Sequence, residues 1–312
     1  MAEDVSPIIA RRVVRLALRD ARDRAKLTQP QVAEAMEWSL SKVIRIENGD
    51  VSIAPNDLRP LLSFLNVKDR TTVTELLELA KIARKRQRGE WYHQPGTREH
   101  LTDGMLRLIE YEAEAVEIRY YQIYYMPGPL QIPAYAWANL ALYDEDDIPS
   151  DTRRQRAEAR ERRREAVLTR LGNGLSIFAL LDQSVFLRSL GGPEVFLDQL
   201  RELNDLATAE KIKIRMIPFK TKYVMTNNAT FDLITLKSGK PDERSEVLYR
   251  ETGLQDEIVE DQSVRRHHER FDKIRNSSAT EEDTIEFIRS RIKELEEEIR
   301  EGKDFPSGHP AT

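Results

Sequence analysis

The chain has 312 residues, long enough for two domains, and its 40% hydrophobic and 33% charged content predicts a soluble globular protein with some extended surface helices. Cysteine is absent, which excludes disulfides, thiolate metal sites and cysteine nucleophiles; no apolar run approaches the roughly 20 residues that cross a bilayer, and the acidic start Met1-Ala2-Glu3-Asp4 lacks a signal core, so a cytoplasmic protein with no membrane association is expected. The net charge of −5 is unevenly divided: residues 1–88 hold 17 Lys+Arg against 12 Asp+Glu and the remainder 32 against 42, leaving a basic beginning and an acidic rest.

In chain order, Val13, Leu16, Ala17 and Ala21 give a first helix an apolar face. Thr28 suits the N-cap of a short second helix, in which Val32, Ala33 and Met36 recur at helical spacing and Gln29 is exposed in the first turn. Glu37 and Trp38 leave room for only a tight turn before Ser39 caps a third helix, with Val43 and Ile46 facing inward and Gly49 at a left-handed C-cap. Two short helices that cross steeply about such a turn make a helix-turn-helix, and the second of them enters the major groove of DNA by its N-terminal part. Leu40, Ser41, Lys42, Ile44 and Arg45 are left on or near its outer face. Arg45 is the expected base contact, since a guanidinium bonds O6 and N7 of guanine together; Ser41 reads several bases and Leu40 a thymine methyl. Gln29 and Lys42 are placed for phosphates, and Asn48, at the end of the same helix, joins the expected DNA-binding set.

The segment from about Arg11 to Gly49 resembles the phage repressor/Cro-type, or xenobiotic-response-element-type, helix-turn-helix, through Thr28-Gln29, Val32-Ala33 and Glu47-Asn48-Gly49. In that family an Arg of the first helix pairs with the Glu near the end of the recognition helix, which by position implies Arg22 and Glu47. A Glu near a helix C-terminus is poorly placed for the dipole, so a structural ion pair is the expected role.

After Pro55-Asn56-Asp57, Leu58, Leu61, Leu62 and Leu65 predict a fourth helix, and Val73, Leu76, Leu77 and Ala80 a fifth over 71–88. Its end, Arg84-Lys85-Arg86-Gln87-Arg88, either touches the DNA backbone or is simply a solvated helix end. The helical pattern breaks at 89–97, a linker whose Trp91 and Tyr92 are expected to dock on a domain.

A helix over about 98–116 opens the second part, followed by a strand at 120–125 and a Pro- and Gly-dense loop at 126–136. Rigid loops rimmed by aromatics line pockets or brace a core, and an effector pocket at Tyr124, Tyr125 and Tyr135 is the functional reading of this one. The Arg-rich helix over 153–170 is expected to be a solvated, self-paired face. Strands are predicted at 176–181, 212–217, 230–236 and 246–250, with helices at 193–209 and about 259–274. The fold class is therefore an all-α helix-turn-helix domain of five helices followed by a larger α/β or α+β domain with a small mixed sheet of four or five strands and C-terminal helices. Near the end, Ile285, Ile288, Ile292, Leu295 and Ile299 form a heptad seam of two heptads, which either packs on its own domain or dimerises.

Pro127-Gly128-Pro129-Leu130-Gln131-Ile132-Pro133-Ala134-Tyr135-Ala136, Leu181-Asp182 through Gly191-Gly192, Gln199-Leu200-Arg201-Glu202-Leu203 and the run from Ile212 to Pro218 together resemble the domain of unknown function that follows the helix-turn-helix in actinobacterial regulators called antitoxin-like. Pro129, Pro133 and Gln183 depart from its pattern. The resemblance implies a transcription regulator whose distal domain engages a small neighbouring protein or another signal, and no catalysis.

The residues point the same way. The adjacent His267 and His268 project to different sides of a helix, and no phosphate loop, nucleophile elbow or deaminase signature occurs, so neither an enzyme nor a cofactor or metal is expected. The domain plan is 1–88 for DNA, a linker at 89–97, an α+β effector or partner-binding domain at 98–300 and a disordered tail at 301–312. The expected protein is a sequence-specific DNA-binding regulator, a homodimer on double-stranded DNA, with a small neighbouring-gene protein as candidate partner; the alternative is a regulator that answers to a small molecule.

Overall fold

The computed structural model describes residues 5–85, 90–142, 149–221, 230–237, 245–251, 256–260 and 263–302. They divide into two compact units, Met1–Gln94 and Pro95–Thr312. Arg86, Gln87 and Arg88 of the basic run and the tail from Lys303 lie outside the described residues.

The first unit is five helices: α1 (Pro7–Arg24), α2 (Gln29–Ala35), α3 (Leu40–Asn48), α4 (Pro55–Phe64) and α5 (Arg70–Ala83). Local chemistry sets most of their starts. The side chains of Ser6, Thr28, Ser39 and Asp69 each accept a backbone N–H of the first turn, and Thr28 with Gln31 forms a complete capping box. Proline in the first turn of α1, α2 and α4 removes a donor that the helix could not have satisfied. The core joins Val14, Leu18 and Ala21 of α1 to Val32, Val43, Ile46, Leu58, Leu62, Leu76 and Ala80. On α1 this corrects the expected face, for Val13 is exposed and Leu16 only half-buried. The helix begins four residues before Arg11, which brings Ile8, Ile9 and Ala10 inside as well.

The second unit holds a six-stranded mixed sheet in the order β3-β2-β1-β4-β5-β6, from β1 (Ala115–Gln122), β2 (Ser176–Asp182), β3 (Lys213–Ile217), β4 (Phe231–Leu236), β5 (Ser245–Glu251) and β6 (Asp256–Val259). β1, β2 and β3 run parallel; β4 pairs antiparallel with β1, and β5 and β6 continue antiparallel. The helices are α6 (Pro95–Arg98), α7 (Asp103–Glu114), α8 (Pro133–Leu140), α9 (Ser150–Arg170), α10 (Pro193–Thr208), α11 (Ser263–Arg275) and α12 (Glu281–Arg300). The expected helix over 98–116 is thus α7 alone and gives way to β1 at Ala115. At the junction the two terminal nitrogens of Arg170 donate to the carbonyls of Glu112, which also accepts the Ala115 N–H, and of Ala115.

Strand alternation gives the sheet two different faces. Tyr121, Phe178, Leu180, Phe231, Leu233 and Leu248 pack a dry layer against Val264, Phe271 and Ile274 of α11. Tyr120, Asp232 and Tyr249 lie directly opposite one another across β1, β4 and β5 and put a polar row on the other face. The heptad seam is used inside the unit: α12 packs against α10 and β3, Ile288 and Leu295 are fully buried, and Thr284 accepts the backbone N–H of Met216. Among the described residues no helix is long and apolar enough to cross a membrane, and no group of three His, Asp or Glu is arranged to hold a metal ion.

Candidate nucleic-acid interface

The third helix is held by its two ends and its inner face, which leaves one stripe outward. Ser39 Oγ accepts the N–H of Lys42, and Gly49 closes the helix at φ +82°, where a Cβ would come within 2.9 Å of the buried Arg15 side chain. Val43, Ile46 and Glu47 are buried. Leu40, Ser41, Arg45 and Asn48 are exposed, with Ile44 half-buried among them. Leu40 is a large apolar side chain left 43% exposed. The stripe thus pairs an apolar methyl group with a hydroxyl, an amide and a guanidinium, the types of group that read base edges.

Beneath the stripe Glu47 ties three helices together. Its Oε1 accepts Nε of Arg22 from α1 at 2.7 Å, and its Oε2 accepts Nε2 of Gln29 from α2 at 2.8 Å. The Arg22 guanidinium also donates to the carbonyl of Leu27 and to Asp23, and its hydrogen bond to Glu47 is the main reason that its pKa lies above the ordinary value. One amide N–H of Gln29 thus ties α2 to α3. Lys42 is anchored too: its Nζ pairs with Asp57 at 2.9 Å and sits 3.8 Å above the Trp38 ring. It occupies the border of the stripe, half-buried, and an anion that approached it would compete with Asp57.

Glu47→Ala should destabilise the first unit by about 1–3 kcal/mol, the cost of leaving buried donors without an acceptor. Amide hydrogen exchange along α1 to α3 is the measure. Unchanged protection of those helices, with DNA binding weakened, would move Glu47 from support to contact.

In the second unit the tyrosines expected to rim one pocket are separated. Tyr124 is 57% exposed, whereas Tyr135 is 1% exposed, lies near Phe196 and accepts the backbone N–H of Met126. Tyr125 alone of the three lines the cavity on the polar face of the sheet, and its hydroxyl donates to Glu251. The reason is backbone geometry. The strand ends at Gln122, so period-two alternation no longer governs 124 and 125, and Tyr135 is carried by α8 into the core.

The sequence reading missed the ionic centre of this unit. Arg163 of α9 and Glu112 of α7, both buried, form two parallel hydrogen bonds of 2.6 Å each. Burial works against the Arg163 charge, yet Glu112 holds its pKa above the ordinary value. The Arg-rich helix is thus not the self-paired solvated face expected: Arg156, Arg163, Arg164 and Arg170 bond to His100, Glu112, Glu202 and the end of α7. Close by, Asp232 accepts Nε2 of Gln122 at 3.0 Å, and burial raises its carboxyl pKa to about 8 against the opposing pull of Arg163. The signal was legible in part, since Asp232 interrupts an apolar run that is buried throughout, Phe231–Leu236.

Comparison with known families adds two findings. The model described as Helix-turn-helix domain matches residues 15–76, a span that covers α2 and α3 and the ion pair behind them. The model described as Domain of unknown function (DUF5753) matches residues 105–290, more than half of the chain. No curated protein and no solved structure matches.

Proposed function

Because the chain belongs to the family of the Domain of unknown function (DUF5753), with a helix-turn-helix domain ahead of that region, we propose that it is a sequence-specific DNA-binding transcription regulator and not an enzyme. The observation that carries this reading is the outward stripe of α3: Leu40, Ser41, Arg45 and Asn48 stand open around the half-buried Ile44, while Val43 and Ile46 are in the core and Lys42 and Glu47 are in ion pairs. α3 enters the major groove, Arg45 reads a guanine, and two copies of the chain engage half-sites about one helical turn apart.

Arg45→Ala is expected to cost about 1–3 kcal/mol on the preferred site and to relax preference at one base pair, whereas Lys42→Ala should weaken every sequence alike and reduce the salt slope by about one. Competition binding on a randomised site library, repeated at several salt concentrations, measures both. An equal loss on every sequence for Arg45→Ala would overturn base reading by this helix.

The second unit is proposed as the part that receives a signal. Family resemblance implies a small neighbouring-gene protein as the occupant. A second reading, in which a small molecule is the signal, is favoured by the polar cavity bounded by β1, β4, β5 and α9. Titration of DNA by the full chain, with and without each kind of effector, separates the two.

A further inference from the structure

The polar face of the sheet in the second unit carries acceptors that the fold itself does not use. Gln122 and Gln131 are 6% and 3% exposed, and both line a cavity of about 60 Å³. Each amide is fixed in orientation by its nitrogen, which donates to Asp232 Oδ1 in one case and to the carbonyl of Met126 at 2.7 Å in the other. The carbonyl oxygens Oε1 of both side chains are buried without a hydrogen-bond partner among the described residues. Buried acceptors of this kind are uncommon in a folded protein and cost free energy, so two in one cavity call for a donor.

Asp232 and Glu251 add further acceptors; of the two arginines in the wall, Arg163 gives Nε and one terminal nitrogen to Glu112, and Arg160 stands where the cavity meets an outer cleft. The cavity also shares Gly128, Gln131 and Arg160 with a larger cleft of about 230 Å³, which is lined further by Pro133, Ala136 and the half-exposed ring of Trp137. An acceptor-rich inner chamber therefore continues into an outer cleft with apolar walls.

We infer that this cavity binds a small organic amine, its ammonium group bonded to Asp232 and the free carbonyl oxygens of Gln122 and Gln131, and its apolar body lying in the cleft beside Trp137. The assignment rests on the small-molecule reading of the second unit and names the ligand class for it. A cation brought to Asp232 also stabilises the ionised carboxylate that burial otherwise disfavours.

Three probes with one body and different heads test it: 2-phenylethylamine, 2-phenylethanol and 3-phenylpropanoate, each titrated calorimetrically into the full-length protein. The amine should bind at least about tenfold more tightly than the alcohol, with the carboxylate weakest. Asp232→Asn, which keeps an acceptor for Gln122, should abolish the preference for the amine while the melting curve stays cooperative. Trp137→Ala, at an exposed position, should weaken the amine and the alcohol by the same factor. Binding of the alcohol or the carboxylate in preference to the amine would overturn the ligand class and leave the small-molecule reading in place. Failure of all three to bind would overturn both.

Discussion

Glu112→Ala is expected to destabilise the second unit by about 3–5 kcal/mol, the largest single loss foreseen for this chain. The pair it breaks is buried on both sides, with two hydrogen bonds of 2.6 Å between Arg163 and Glu112. Truncating the carboxylate leaves a buried guanidinium without its hydrogen-bonded counter-charge. Replacing both members, as in Glu112→Leu with Arg163→Met, should cost much less, because the desolvated charge disappears along with its partner. Hydrogen exchange read separately on β1, β4 and the helices of the first unit checks this: the strands should lose protection in the single variant and recover most of it in the double. Equal losses in the two variants would mean that packing, not charge pairing, holds α9 to α7.

Asp232→Asn is expected to act in the opposite direction and to stabilise the second unit at and above neutral pH. The folded-state pKa of Asp232 is raised to about 8, above that of an unfolded carboxyl near 3.8. The stability contributed by the neutral form is therefore complete below the ordinary carboxylate range and is lost as pH rises towards 8, by about 1.4 kcal/mol for each pH unit between the two values. Its surroundings include Gln122 on β1, Arg160 and Arg163 on α9, Glu112 on α7, and Tyr249 and Glu251 on β5; Arg163 favours ionisation, whereas Glu112 and Glu251 oppose it. The asparagine variant carries no such penalty. Melting temperatures of the two proteins should coincide most nearly below about pH 4, diverge as the pH rises and run parallel above about 8; a difference independent of pH would sink the assignment. A carboxylate that costs stability in this way is one that packing alone would not retain, which agrees with its place in the proposed amine site.

The two units differ in how far their sequence discloses them. In the first, Thr28, Ser39 and Gly49 mark helix ends within a span of 22 residues, and each acts on backbone groups of its own first or last turn. Such signals are complete before any tertiary contact forms, so the five helices and the open face of α3 follow from local spacing. Even here, the ties of Gln29 and Lys42 inside the bundle were not readable, because Glu47 and Asp57 reach them only across the folded chain.

The second unit shows the converse. Apolar spacing located five of its six strands and most of its helices, because burial of one face imposes a period of two or 3.6 on the chain. It did not show that Arg163 meets Glu112, 51 residues earlier, or that Asp232 meets Gln122, 110 residues earlier. An arginine in a charged helix reads the same whether it faces water or a buried carboxylate, and three tyrosines close together in the chain read the same whether they share a pocket or part company. Local sequence fixed the elements, since caps and periodicity act within a turn or two; only the tertiary structure decided which polar groups were brought inside and paired, since that depends on strand order and on what each helix covers.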